Sequence, residues 1–105
     1  MPKRTRRYED DLVESLKDPK EAAAYLNAHL EDDGEDSEEL FLLALRDVAV
    51  ARGMGEVANL SDLGRESLYK TLSANGNPKF YTLKSILKAM GLKLAIEQEV
   101  LLCTL

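Results

Sequence analysis

The stretch Met54-Gly55-Glu56-Val57-Ala58-Asn59-Leu60-Ser61-Asp62-Leu63-Gly64-Arg65-Glu66-Ser67-Leu68-Tyr69-Lys70-Thr71-Leu72 decides how the chain is read. It scans as two short helices joined by a tight turn, the helix-turn-helix layout. Such a unit needs a small residue on the first helix where the second crosses it, and an apolar residue of the second helix to plug the gap. Ala58 and Leu68 fill those places. The second helix then turns Arg65, Glu66, Ser67, Tyr69 and Lys70 outward, a polar face whose hydrogen-bonding tips suit base edges and phosphates in a major groove. The expectation is sequence-specific binding of double-stranded DNA.

Upstream of this pair the chain carries helical signals. Leu12, Val13 and Leu16 recur at helical spacing in the segment from Tyr8 to Leu16. Asp18-Pro19-Lys20-Glu21 reads as a second helix start, with Asp18 as N-cap, proline at the first helical position and a glutamate three residues after the cap. Ala22, Ala23, Leu26 and Leu30 form its apolar stripe, and Glu31-Asp32-Asp33-Gly34-Glu35-Asp36 reads as a turn or linker. A third helix is expected to be capped by Ser37, with Leu40, Phe41, Ala44, Leu45, Val48 and Ala49 inward and Gly53 at its end.

Downstream, Ser73-Ala74-Asn75-Gly76-Asn77-Pro78 is composed of loop formers. A last helix is expected from about Thr82 to Met90, with Leu83, Ile86, Leu87 and Met90 inward and Gly91 as its stop. Beyond Gly91 the pattern changes to period two, with Leu92, Leu94 and Ile96 alternating with Lys93, Ala95 and Glu97 before Val100, Leu101 and Leu102. That alternation predicts a short β-strand. A lone strand needs another, from a symmetry mate or from a partner's exposed sheet edge, and homodimerisation through this tail is the preferred source. The expected organisation is a flexible basic arm over 1–7, an acidic helical region over 8–36, the helix-turn-helix domain over 37–92 and the tail over 93–105.

Length and charge narrow the possibilities. A chain of 105 residues holds one small domain rather than a large enzyme with a deep pocket. No apolar run nears the roughly 20 residues that span a bilayer, and Met1-Pro2-Lys3-Arg4 lacks a signal-peptide core, so a cytoplasmic protein without membrane contact is expected. The single cysteine, Cys103, offers neither an internal disulfide nor a metal-site partner. The net charge of −5 is unevenly spread. Lys3, Arg4, Arg6 and Arg7 make the first seven residues +4, whereas Tyr8 to Glu39 holds thirteen acids against Lys17 and Lys20, a balance of −11. Between Arg52 and Lys93 seven bases face three acids, leaving +4 around the reading head. A basic DNA face beside an acidic segment suggests two partners.

Leu68-Tyr69-Lys70-Thr71-Leu72, the loop Asn75-Gly76-Asn77-Pro78 and Thr82-Leu83-Lys84-Ser85-Ile86-Leu87-Lys88-Ala89-Met90-Gly91-Leu92 together resemble the addiction-module antidote proteins. These are prophage-type DNA-binding antitoxins of the HigA-like and XRE-like kind. Asp18-Pro19-Lys20-Glu21-Ala22-Ala23-Ala24-Tyr25-Leu26-Asn27-Ala28 and Leu45-Arg46-Asp47-Val48-Ala49 resemble the same family, so the likeness runs from about Tyr8 to Ile96. The resemblance implies an all-α, lambda-repressor-like helix-turn-helix domain with extra N-terminal helices and, with the strand read above, a short C-terminal β-strand used in dimerisation. It also implies an antitoxin of a type II toxin-antitoxin module. Such a protein neutralises a RelE/HigB-type ribonuclease toxin and represses its own operon by binding operator DNA. Two positions depart from the family pattern: Asp62 stands where a turn glycine is common, and Gly64 where a serine or threonine cap is common. Asp tolerates left-handed backbone and Gly is an acceptable N-cap, but the missing hydroxyl at Gly64 removes a candidate phosphate contact.

Each candidate contact has a plain alternative. Arg65 is placed to take guanine O6 and N7 in a bidentate contact, or else is a solvated arginine paired with Glu66 or Glu56. Lys70 is expected on phosphate and Tyr69 on phosphate or a thymine methyl, with an ordinary exposed residue the alternative for either; Ser67 is a weaker base contact, and Glu66 can select against or accept from a cytosine amine. Asn75, Asn77, Lys79, Tyr81 and Lys84 form a polar cluster suited to clamping phosphate, with turn-making the alternative for the asparagines and core packing for Tyr81. Lys79 and Lys84 are backbone-contact candidates. The basic arm adds sequence-independent affinity, or is an ordinary charged terminus. The segment Glu9 to Glu39 suits a basic toxin surface, or is a solvated helix face. His29, the only histidine, has no metal-ligand or nucleophile-base spacing, so neither catalysis nor a cofactor or metal is expected. Two other functions are compatible with these residues: a prophage regulator without a toxin, and an interaction module that has lost DNA binding.

Overall fold

Asp18 starts a helix for the reason its sequence gives: its backbone is extended (φ −80°, ψ 121°), its carboxylate accepts from the Lys20 amide at 3.0 Å, and Pro19 follows. The computed structural model describes the backbone of residues 6–98 and the side chains of residues 10–98. Within them every regular element is a helix: α1 (Arg6–Leu16), α2 (Pro19–Leu30), α3 (Ser37–Arg52), α4 (Met54–Leu60), α5 (Arg65–Thr71) and α6 (Phe80–Ala89). Helices α1 and α2 pack on each other and on α3, α3 meets α4, and α4 holds both α5 and α6.

One apolar core ties these elements together. Leu16 of α1, Ala22 and Leu26 of α2, Leu45, Val48 and Ala49 of α3, Val57 and Ala58 of α4, Leu68 and Leu72 around α5, and Ile86, Leu87 and Met90 around α6 all belong to it. The expected stripes are largely those buried, with two exceptions. Leu30, at the end of α2, is 54% exposed, and on α3 the inward place assigned to Leu40 belongs to Leu42.

The junction between α4 and α5 is a Schellman motif. The Leu63 amide reaches back to the Ala58 carbonyl (2.9 Å) and the Asp62 amide to that of Asn59 (3.3 Å), with Asp62 in the left-handed region at φ 61°. Ser61 adds a hydrogen bond to the Val57 carbonyl at 2.7 Å. The end of α6 repeats the motif: Leu92 bonds to Leu87 (2.9 Å), Gly91 to Lys88 (3.0 Å), and Gly91 sits at φ 75°. Gly91 therefore stops the helix as its sequence position implies.

Three expectations require correction. Ser37 is the first residue of α3 rather than its cap; Asp36 occupies the cap position and makes no side-chain bond to the helix. The preceding turn accounts for the shift, since Asp32 binds the Gly34 amide at 3.0 Å and the Ser37 amide is taken by the Gly34 carbonyl at 3.1 Å. Helix α6 begins at Phe80, two residues before Thr82. Phe80 and Tyr81 are 68% and 80% exposed, so they lie off the apolar stripe by which the start was judged.

The third correction concerns the C-terminal β-strand. Residues 92–98 form no strand, and no β element exists among the described residues. A period-two pattern specifies which side chains share a face, but the backbone groups need a second strand to form a ladder, and none of the described chain provides one. Val100, Leu101, Leu102 and Cys103 lie outside the described residues, as do Lys3 and Arg4 of the basic arm. The backbone of Arg6 and Arg7 is already helical.

Candidate nucleic-acid interface

Helix α5 is two-faced. Leu68 and, just after the helix, Leu72 are fully buried, while Arg65, Glu66, Ser67 and Lys70 are exposed. Ala58 on α4 is 4% exposed, so the small residue and the apolar plug expected of the pair both lie in the core. Gly64 takes the N-cap with an extended backbone (φ −69°, ψ 151°) and no side-chain bond. Any residue adopts that geometry, so the glycine reflects no backbone demand there.

Tyr69 differs from its neighbours. It is partly buried and packs against the core, with the Arg46 Cζ 5.4 Å and the Arg65 Cζ 6.0 Å from its ring centroid. Arg46 comes from α3 and is exposed. Neither arginine has a carboxylate partner among the described residues, so Arg65 forms no ion pair with Glu66 or Glu56.

The loop after α5 folds back beside this face. Ser67, Lys70, Asn75, Asn77 and Pro78 border one shallow recess. Ser73 closes the end of α5 by donating to the Lys70 carbonyl at 2.8 Å. Gly76 is required by close approach: a Cβ there would collide with the carbonyl of Thr71. Asn75 and Asn77 border the recess around that turn, so turn-making and a place beside α5 coexist.

The remaining lysines are arranged differently. Lys79 sits at the N-cap of α6, next to the recess. Lys84 has its Nζ 5.6 Å over the Phe80 ring and faces a separate groove shared with Lys88, Lys93 and Ile96. Tyr81, for which core packing was the alternative, lies in that same groove. The structure thus gathers Arg65, Ser67, Tyr69 and Lys70 along α5 and sets Lys84 on another surface.

Arg52, counted among the basic residues around the reading head, is held elsewhere. It donates through Nη2 to the Met90 carbonyl, and its buried Nε has no hydrogen-bond partner among the described residues. A guanidinium at the C-terminal end of α6 satisfies a free carbonyl and complements the helix dipole. On the opposite flank, the Tyr25 hydroxyl donates to Asp47 Oδ2 at 2.8 Å and the His29 Nδ1 lies 2.9 Å from the Tyr25 carbonyl. His29 is thereby tied into the α2 surface, its ring centroid 4.8 Å from that of Tyr25.

Sequence reasoning missed Arg46. No local signal marks it, because its approach to Tyr69 depends on how α3 lies against α5. The groove residue Phe80 is likewise invisible to a pattern that follows buried positions, and Ile96, expected on a strand, lines the same groove.

A family model described as "Probable addiction module antidote protein" matches residues 6–98. An uncharacterized protein of Haemophilus influenzae is 42% identical over 88 residues, covering 84% of this chain and 88% of that protein. No solved structure matches the chain significantly. With a match that runs from the first turn of α1 past the end of α6, the chain belongs to the probable addiction module antidote family.

Proposed function

We propose that this protein is the antitoxin of a type II toxin-antitoxin module, a non-enzymatic protein with two binding roles. One is to bind and neutralise a RelE/HigB-type ribonuclease toxin. The other is to repress its own operon by sequence-specific DNA binding, with α4 and α5 working as a lambda-repressor-like helix-turn-helix. The observation that carries this reading is membership of the antidote family over residues 6–98.

Several features support the DNA half. Helix α5 exposes Arg65, Ser67 and Lys70 while Leu68 anchors it to α4, which is how a recognition helix is presented to a major groove. Lys70 and Lys79 are suited to phosphate. A homodimer would place two such helices about 34–36 Å apart, matching one DNA turn and a palindromic site. The toxin half is supported by charge. Glu31, Asp33, Glu35, Glu38 and Glu39 are exposed, and a basic RNA-binding toxin would be drawn to them over long range.

Co-expression with the product of the adjacent upstream gene tests the reading. Restored growth together with a co-purifying complex is the expected result. A neighbour that is harmless alone and forms no complex would reduce the protein to a DNA-binding regulator.

A further inference from the structure

The two guanidiniums at Tyr69 come from different helices, and no carboxylate among the described residues pairs with either. Arg46 has Leu42, Leu43, Ala49 and Val50 at its helical neighbour positions, so no carboxylate of α3 stands one turn away. The next residue, Asp47, is turned to the Tyr25 hydroxyl. Arg65 has Glu66 beside it in sequence without an ion pair. Two exposed arginines are directed at one ring, and neither is in an ion pair among the described residues, although the exposed Glu66 follows Arg65 in sequence. The ring itself is fixed, because Tyr69 packs against the core.

We propose that Arg46 is a DNA phosphate contact, and that Tyr69 is a positioning residue whose ring holds Arg46 and Arg65 at the DNA surface. This rests on the DNA-binding reading above and extends the contact surface from α5 to α3. Cation-π contact orients a guanidinium against the ring face while leaving its N–H groups free for phosphate or a base edge. The two arginines then divide the work. Arg46, on the flanking helix, takes a phosphodiester oxygen; Arg65, on α5, reaches the groove.

The division has measurable consequences. A phosphate contact releases counterion, so removing it lowers the salt slope of log K by about 0.9 and weakens all sequences alike. A base contact removed from α5 lowers preference between sequences by roughly 5- to 150-fold.

The test uses the full chain and two duplexes of equal length, one selected by the wild-type protein from a randomised pool and one scrambled. Affinities are followed by fluorescence anisotropy over a series of NaCl concentrations. Arg46→Ala is expected to weaken both duplexes by a similar factor, about 3- to 10-fold, and to flatten the salt slope by about 0.9. Arg65→Ala is expected to lose preference for the selected duplex. Tyr69→Phe should bind like wild type, whereas Tyr69→Leu should show the losses of both arginine variants. Circular dichroism and urea midpoints separate these losses from unfolding.

An unchanged slope and affinity for Arg46→Ala, with wild type binding normally, would overturn the inference and leave the DNA reading intact. A loss confined to the selected duplex would also overturn it, since Arg46 would then be reading bases. Failure of the wild-type chain to enrich any duplex from the randomised pool would remove the DNA reading and this inference with it.

Discussion

Asp62→Gly should make the protein more stable. Asp62 stands at the C′ position of the Schellman motif that ends α4, with φ 61° and an exposed side chain. An ordinary L residue in that conformation costs about 1–2 kcal/mol, which glycine avoids. Glycine returns about 0.4–1 kcal/mol through the greater freedom of the unfolded chain. The net gain is about 0.5–1 kcal/mol, or roughly 2–6 °C in Tm for a domain of this size. Two controls separate backbone from charge. Asp62→Asn removes the carboxylate but tolerates the left-handed region, and should leave stability nearly unchanged; Asp62→Ala keeps the left-handed strain and should stay within about 0.5 kcal/mol of wild type. Urea denaturation with a common m-value measures all three. A lower midpoint for Asp62→Gly, or equal midpoints for glycine and alanine, would refute the argument that backbone conformation controls this turn.

Three further outcomes follow from other contacts. Gly76→Ala should destabilise by about 2 kcal/mol or more in urea, because the new Cβ meets the backbone carbonyl of Thr71, which can move only with the end of α5. Arg52→Met keeps the aliphatic stem but leaves the Met90 carbonyl without its charged donor, and should lower stability by about 1.5 kcal/mol while leaving the affinity for DNA unchanged. Reversing the exposed charges Glu31→Lys, Asp33→Lys and Glu35→Lys together should slow association with the cognate toxin by about tenfold or more at low salt, by stopped-flow fluorescence, with the unfolding free energy in urea held within about 0.5 kcal/mol. An unchanged association rate would show that the acidic segment is a solvated face.

The sequence carried the helices whose ends have a chemical marker. Asp18-Pro19 and Gly91 punctuate α2 and α6 where expected, because an N-cap carboxylate and a left-handed C′ glycine act within a few residues. The start of α6 was obscured for the opposite reason: Phe80 and Tyr81 are apolar but exposed, and periodicity locates buried faces only. The tail from Leu92 misled because alternation encodes a face and leaves the pairing partner unspecified. In the candidate interface, Arg65 and Lys70 could be read from their place on α5. Arg46 and Arg52 could not. One lies over a ring contributed by another helix and the other on a carbonyl 38 residues away, so the difference between an arginine exposed at the candidate interface and a helix-capping one is tertiary.

The way the core is shared constrains how the two proposed roles can be separated. Leu16, Ala22 and Leu26 from the acidic helices are at most 5% exposed and belong to the same cluster as Leu68 and Met90. Removing α1 and α2 would uncover α3, and burying each Leu side chain is worth about 1.5–3 kcal/mol, comparable in sum to the whole stability of a small domain. A truncation that lost toxin binding would therefore lose the mounting of α5 as well, and would report unfolding rather than the address of a binding surface. Because α3 carries Arg46 on one flank and packs α1 and α2 on another, it is the element through which a ligand on the acidic helices would affect the proposed DNA face. Such coupling requires that the toxin bind with different free energies to the DNA-bound and DNA-free protein, and by linkage DNA must then change the affinity for toxin by the same factor. Surface substitutions that spare the core are the instrument that can measure that factor.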